Sequence, residues 1–223
     1  MSINLKAPEV VVRETRLGSI TGYEGTAKDL CDSSKGGRLC DRERSFSQCL
    51  GCSSLNALCQ LLMIQDAAVI NHGPIGCAAD FAEFNFTNRV GQKKRGLPLR
   101  NGNVISTNLK EGDMVYGGGA KLESAIRETW TRFHPRAIFI TTSCASGIIG
   151  DDVSGISDRL EKELGIPVIS VTCEGFRSKL WTTGFDAAYH AILRKIVKPP
   201  KEKSKNLVNV INFWGTDVFT DLF

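Results

Sequence analysis

No apolar run in this chain approaches the roughly 20 residues that a membrane-spanning helix requires. The opening, Met1-Ser2-Ile3-Asn4-Leu5-Lys6, lacks the apolar core of a secretory signal peptide. Strong charge of either sign is missing too: a net charge of +4 is too small to argue for a nucleic-acid partner. The basic run Gln92-Lys93-Lys94-Arg95, continuing to Arg100, reads as a solvated loop. There is no phosphate loop. Gly117-Gly118-Gly119-Ala120-Lys121-Leu122 lacks the two glycines four residues apart with Lys and Ser/Thr directly after the second, and reads as a glycine-rich helix entry. Together these absences predict a cytoplasmic protein with neither nucleic acid nor membrane as partner.

Cysteine, by contrast, is plentiful, with eight in 223 residues. In a reducing compartment disulfides are disfavoured, which leaves metal binding or packing to account for them. Three sit in glycine-bearing loops: Cys52 ends Gln48-Cys49-Leu50-Gly51-Cys52, Cys77 closes His72-Gly73-Pro74-Ile75-Gly76-Cys77, and Cys144 opens Cys144-Ala145-Ser146-Gly147-Ile148-Ile149-Gly150-Asp151-Asp152. Thiolates are soft ligands suited to iron–sulfur clusters and zinc. Neighbouring glycine and proline leave room for a bulky inorganic group and let backbone amides approach it. Three ligands are one short of a closed four-cysteine site, so a further ligand is expected from another chain. Cys59, within Leu55–Leu62, reads as core. Cys31 and Cys40 stay ambiguous; with Cys49 and Cys52 they form an alternative zinc set, although their nine-residue spacing is unusual for structural zinc.

The total length allows one large domain or two small ones. Residues 1–50 are polar and irregular. From residue 53 helices and short apolar strands alternate. Ser53 or Ser54 is expected to cap a helix running to about Ile64, and the stretch from Cys77 to about Phe86 is expected to begin another. Strands are expected at Ala67–His72, Val104–Thr107, Asp113–Tyr116, Ala137–Thr142 and Val168–Thr172. Further helices are expected at Lys121–Phe133, where Leu122, Ile126, Trp130 and Phe133 recur at helical spacing, at Val153–Leu164 and at Gly184–Val197. This alternation implies an α/β, Rossmann-like parallel sheet with helices on both faces. Ligand loops gather at the carboxyl ends of such strands, so His72–Cys77, Thr142–Asp152 and Cys173–Arg177 should share one edge. The resulting division is 1–50 irregular, 51–198 a cluster-binding α/β domain, and 199–223 a linker and the start of a second α/β domain, which reads as the N-terminal piece of a longer polypeptide.

Two other features admit both a chemical and a structural reading. His72 is a potential ligand or proton donor, but a histidine before Gly-Pro at a strand end is more often a hydrogen-bonded structural residue. Asp151-Asp152 suggests magnesium or acid–base chemistry; at a helix start, capping and dipole compensation are the simpler roles. His134 reads as surface, and His190 stays open.

The cysteine loop His72–Cys77, the segment Ser106–Gly118, the loop Ser143–Asp152 and Cys173-Glu174-Gly175-Phe176-Arg177 occur in an order that resembles the alpha-type side of the nitrogenase component 1 superfamily. The resemblance runs from about Cys49 to Lys198. It implies the first domain of a three-domain nitrogenase-type subunit. It further implies that Cys52, Cys77 and Cys144 bind an iron–sulfur cluster shared with a beta-type subunit, an 8Fe-7S P-cluster or a 4Fe-4S cluster, with Cys49 an alternative first ligand. The cluster would relay electrons from an ATP-dependent iron-protein reductase, and a catalytic metallocofactor would be held only by the full-length protein. Three departures stand out. Trp181 and Phe185 occupy positions where molybdenum nitrogenase alpha chains place Gln and His beside the catalytic cofactor, and Asn85 falls near a family arginine. The implied functions are thus a nitrogenase-like oxidoreductase subunit or, alternatively, a scaffold for assembly of the iron-molybdenum-type cofactor; a zinc-stabilised binding domain is the remaining alternative.

Overall fold

The computed structural model describes residues 26, 28–29, 31–32, 51–79, 81–178 and 181–199. Cys40, Cys49 and the expected linker and strand after residue 199 lie outside them. The chain runs α1 (Ser53–Leu62), β1 (Ala67–His72), a 3₁₀ turn (Ile75–Ala78), α2 (Phe81–Lys94), β2 (Asn103–Ser106), α3 (Glu111–Tyr116), α4 (Gly119–Phe133), β3 (Ala137–Thr142), α5 (Cys144–Ile149), α6 (Val153–Leu164), β4 (Val168–Val171), a second 3₁₀ turn (Gly175–Arg177) and α7 (Thr183–Lys195). The four strands pair in the order β2-β1-β3-β4, all parallel.

Every residue of β1 and β3 is buried, as expected of central strands covered on both faces. Side chains alternate between two cores. Val69, Phe139, Ile169 and Val171 pack with α1 and α7 around Leu58, Leu61 and Ala188. Ile70, Ile138, Ile140 and Val168 pack with α4 and α6 around Leu122, Ile126 and Leu160. Among the described residues no helix is long and apolar enough to cross a membrane.

From β1 the chain steps to β2 on one side, then returns to β3 and β4 on the other. The strand order therefore reverses between β1 and β3. At such a switch point the loops leaving the two strands diverge and open a crevice at their carboxyl ends. Cys77 follows β1 and Cys144 follows β3, so these two loops flank that crevice.

Three local expectations are corrected. Asp113–Tyr116 is not a strand but belongs to the short helix α3. The Asp113 carboxylate reaches back to accept the Lys110 backbone N–H at 2.6 Å, closing a helical first turn, and the apolar Val115 and Tyr116 lie exposed rather than in the sheet. Gln92–Lys94 ends α2 instead of forming a loop; Lys93 and Lys94 there complement the helix dipole, while buried Gln92 accepts the Arg100 N–H at 2.8 Å. Neither Ser53 nor Ser54 caps α1. Cys52 is the N-cap, without a side-chain bond, and both serine hydroxyls instead reach across to the carboxyl ends of the strands: Ser53 donates to the Cys173 carbonyl after β4 at 2.7 Å and Ser54 to the Thr142 carbonyl at the end of β3 at 2.8 Å.

Candidate metal centre

The sheet edge positions all three loop cysteines. Cys52 stands just before α1, which the two serine bonds tie to the end of β3 and the loop after β4. Cys77 lies in the 3₁₀ turn after β1. Cys144 is the first residue of α5, behind the Ser143 N-cap, whose hydroxyl accepts the Ser146 N–H at 3.2 Å while Ser146 Oγ accepts the Ser143 N–H at 3.0 Å.

Gly175 lies between two of these thiols. A β-carbon on Gly175 would stand 3.0 Å from Cys52 Cβ, 3.3 Å from Cys52 Sγ and 3.4 Å from Cys144 Sγ. The separation of the two sulfurs therefore cannot exceed the sum of the last two distances. Cys77 is close enough for the charges of both other thiolates to act on it: burial first, then Cys52 and Cys144, pushes its thiol up from the ordinary value of 9.0. By area Cys77 and Cys52 are exposed and Cys144 is half-buried, all as free thiols. Protein surrounds enough of the Cys77 thiol for burial to matter despite that exposure. Among the described residues no three His, Cys, Asp or Glu side chains are grouped to hold a single metal ion. The remaining described cysteines differ in setting. Cys59 and Cys173 are buried in the α1–α7 core, and Cys31 is exposed.

Beside the thiols lies a buried polar network that sequence reasoning did not assemble. His72 is completely buried. Its Nε2 is 3.0 Å from Asp151 Oδ2 and its Nδ1 is 3.1 Å from Thr107 Oγ1. Thr107 Oγ1 also accepts the Gly73 N–H at 3.1 Å, and the Asp151 carboxylate accepts the Gly118 N–H at 2.9 and 3.1 Å. Burial, outweighing the neighbouring Asp151, holds the His72 pKa below its ordinary value of 6.5, so the ring is neutral near pH 7. A carboxylate only accepts. Nε2 therefore carries the proton, and Nδ1 accepts from the Thr107 hydroxyl. Asp151 and Asp152 thus part ways. Asp152 caps α6, accepting the Gly155 N–H at 2.9 Å, whereas Asp151 turns inward to His72. The only sequence signal for this pairing was a histidine at a strand end and a carboxylate before a helix, 79 positions apart.

Trp181 and Phe185 meet edge-to-face, with ring centroids 5.5 Å apart and planes at 81°. Asn85 is engaged by the loop before β2: it donates to Asn101 Oδ1 at 3.1 Å and accepts the Gly102 N–H at 2.8 Å. Glu174, nearly buried, has an Oε2 with no hydrogen bond in line, although Arg177 Nε lies 2.7 Å away.

Comparison with known proteins gives a consistent set of matches. A sequence model described as "Nitrogenase component 1 type Oxidoreductase" matches residues 52–221. The nitrogenase molybdenum-iron protein alpha chain of Clostridium pasteurianum is 37% identical over 150 residues, covering 66% of this chain and 28% of the relative. The nitrogenase iron-molybdenum cofactor biosynthesis protein NifE of Methanococcus maripaludis is 32% identical over 226 residues, covering 96% of this chain and 45% of the relative. A solved structure titled "Nitrogenase Cp1 at pH 5" superimposes with a TM-score of 0.56 at 34% identity, covering 70% of this chain and 32% of that one. The chain therefore spans less than half the length of these relatives.

Proposed function

We propose that this chain, which belongs to the nitrogenase component 1 type oxidoreductase family, forms the cluster-holding part of an alpha-type subunit. In this reading Cys52, Cys77 and Cys144 bind an iron–sulfur cluster, 8Fe-7S or 4Fe-4S, on the face where a beta-type subunit supplies the remaining ligands. An ATP-dependent iron-protein reductase delivers its electrons. The observation that carries the reading is the gathering of Cys52 and Cys144 around Gly175, with Cys77 in the turn that leaves the strand beside β3 at the same sheet edge. The missing side chain at Gly175 leaves open the space between Cys52 and Cys144 that a group wider than one ion needs. When bound, the cluster supplies one-electron transfer. The chain's own part is to present three thiolates from separate loops and keep their spacing fixed.

The test uses the full-length chain with its beta-type partner, prepared anaerobically. Iron and sulfide in cluster stoichiometry with a reduced-state EPR signal are expected, and Cys52→Ala or Cys144→Ala should abolish the signal. Zinc without sulfide, or a signal indifferent to those substitutions, would overturn the reading.

A second reading, a scaffold on which an iron-molybdenum-type cofactor is assembled, is favoured by two observations. A NifE relative matches 96% of the chain, and Trp181 and Phe185, the positions that the resemblance aligns with polar residues beside the catalytic cofactor, are two aromatics in edge-to-face contact. An aromatic pair offers at most one indole N–H as donor. The full-length complex, supplied with reductase and labelled dinitrogen, should therefore give no appreciable labelled ammonia, and should pass maturing cofactor to an acceptor. Labelled ammonia at nitrogenase-like rates would exclude the scaffold reading and leave the catalytic one.

A further inference from the structure

Four separate stretches of chain meet at the His72 side chain: the end of β1, Thr107 after β2, Gly118 at the start of α4, and Asp151 between α5 and α6. The space there is fully used. A β-carbon on Gly118 would stand 2.6 Å from Leu109 Cδ2, 2.9 Å from Asp151 Oδ2 and 3.0 Å from His72 Cε1. The helix that carries Cys144 is tied to this one residue at both ends. At its start the Ser143 N–H donates to the His72 carbonyl at 3.2 Å. Beyond its end Asp151 accepts from His72 Nε2 at 3.0 Å. On the other side, the next residue, Gly73, donates its N–H to Thr107 and accepts the Leu109 N–H at 3.0 Å. That fixes the chain just before the turn bearing Cys77.

We propose that His72 and Asp151 are positioning residues for the metal group, holding the Cys77 turn and the Cys144 helix at a set spacing through the bridge Thr107–His72–Asp151–Gly118. The proposal rests on the cluster reading above. Neither residue touches the thiols in this bridge; each acts through the loop it anchors, as the groups behind metal ligands commonly do. Proton bookkeeping makes the bridge selective. His72 must donate at one nitrogen and accept at the other. A phenylalanine would fill similar space and make neither bond. A glutamine offers an amide N–H donor and a carbonyl acceptor to the same two partners. Substitution of the side chain leaves the carbonyl bond to Ser143 available, so the effect of the ring can be isolated.

The experiment compares His72→Phe and His72→Gln in the full-length chain with its partner, loaded anaerobically. Readouts are the rate of iron loss to a ferrous chelator, the EPR spectrum, and the melting temperature of the metal-free chain. His72→Phe should lose iron about tenfold faster with an altered spectrum, and His72→Gln should restore both. Wild-type iron loss and spectrum in His72→Phe would overturn the proposal. So would equal impairment of both variants in step with melting temperature, because that is the mark of packing alone. If the wild-type complex carries no iron–sulfur cluster, the cluster reading itself has failed. The bridge is then judged by cross-linking Cys77 to Cys144 in the metal-free chain with a short bifunctional thiol reagent. Loss of cross-linked product in His72→Phe but not in His72→Gln supports the spacing role, and unchanged product in both overturns it.

Discussion

At the scale of single residues the site depends on what is absent from Gly175. Its backbone is not in the left-handed region, so alanine there carries no conformational penalty, and its effect is purely one of space. The new methyl would sit 3.0 Å from Cys52 Cβ and 3.3 and 3.4 Å from the Cys52 and Cys144 sulfurs, crowding the thiols and the space between them. Gly175→Ala is expected to fold normally by circular dichroism and to lose most of its iron in the loaded complex; full iron content would show that the space is not used. The thiols themselves make a second prediction. Because the pKa of Cys77 is raised in the folded chain, the folded state holds this proton more tightly than the unfolded state. That contribution is complete below the ordinary thiol value and is lost as pH rises through the raised one. Metal-free protein should therefore lose stability in the alkaline range, and Cys77→Ser should flatten that loss. Alkylation of Cys77 by iodoacetamide, followed by mass spectrometry, should require higher pH than a free cysteine does, and Cys52→Ser or Cys144→Ser should lower that pH. Alkylation at the ordinary pH in all three proteins would contradict the assignment.

Among the elements, α1 places Cys52, and α7 places α1. The two helices approach so closely that a β-carbon on Gly184 would fall 2.2 Å from the Ser53 carbonyl oxygen and 2.9 Å from the Ala57 nitrogen. Both obstacles are backbone, so no rotamer change relieves them. Gly184→Ala is expected to cost about 3 kcal/mol, the upper end for an overpacked core, or roughly 10 °C in melting temperature for a chain of this size. A melting curve superimposable on wild type would mean that the helices slide apart freely. The elements that were legible in the sequence are those whose apolar pattern and ends agree. Ala67–His72 and Ala137–Thr142 each open with four apolar residues and became central strands over those same residues. Val153–Leu164 follows a capping aspartate and ends at Gly165 with φ +69. Asp113–Tyr116 misled because four residues carry no period, and a single carboxylate bonding back to Lys110 decided the matter for helix. Ser53 and Ser54 misled because a serine before an apolar run caps only if its hydroxyl has no better acceptor, and here two carbonyls from distant sequence, at the end of β3 and after β4, provide one.

Over the whole molecule, parallel strand order brought the loops after β1, β3 and β4 to one edge, as alternation of strand and helix implied. The pairing of His72 with Asp151 was not legible, because contact across the switch point depends on which strands become neighbours, and periodicity does not encode that. The same edge is rimmed by apolar side chains that the domain leaves uncovered: Ile75 in the Cys77 turn is 60% exposed, Ile148 on the Cys144 helix 78%, and Phe176 beside Gly175 56%. Ile148 lies four residues after Cys144 and so shares its face of α5. Large apolar groups concentrated around the three thiols mark a surface suited to being covered, and covering it would also shield a cluster from water. With a beta-type subunit as the covering chain, Ile148→Glu and Phe176→Glu should each weaken association by about tenfold or more, the effect of losing roughly 1.4 kcal/mol at a central contact. Sedimentation of the full-length chain with its partner measures this directly. Exposed side chains have little to lose within their own domain, so the melting temperature of each variant alone should stay at the wild-type value. Unaltered affinity in both variants would place the partner's contact elsewhere and leave the apolar rim without that role.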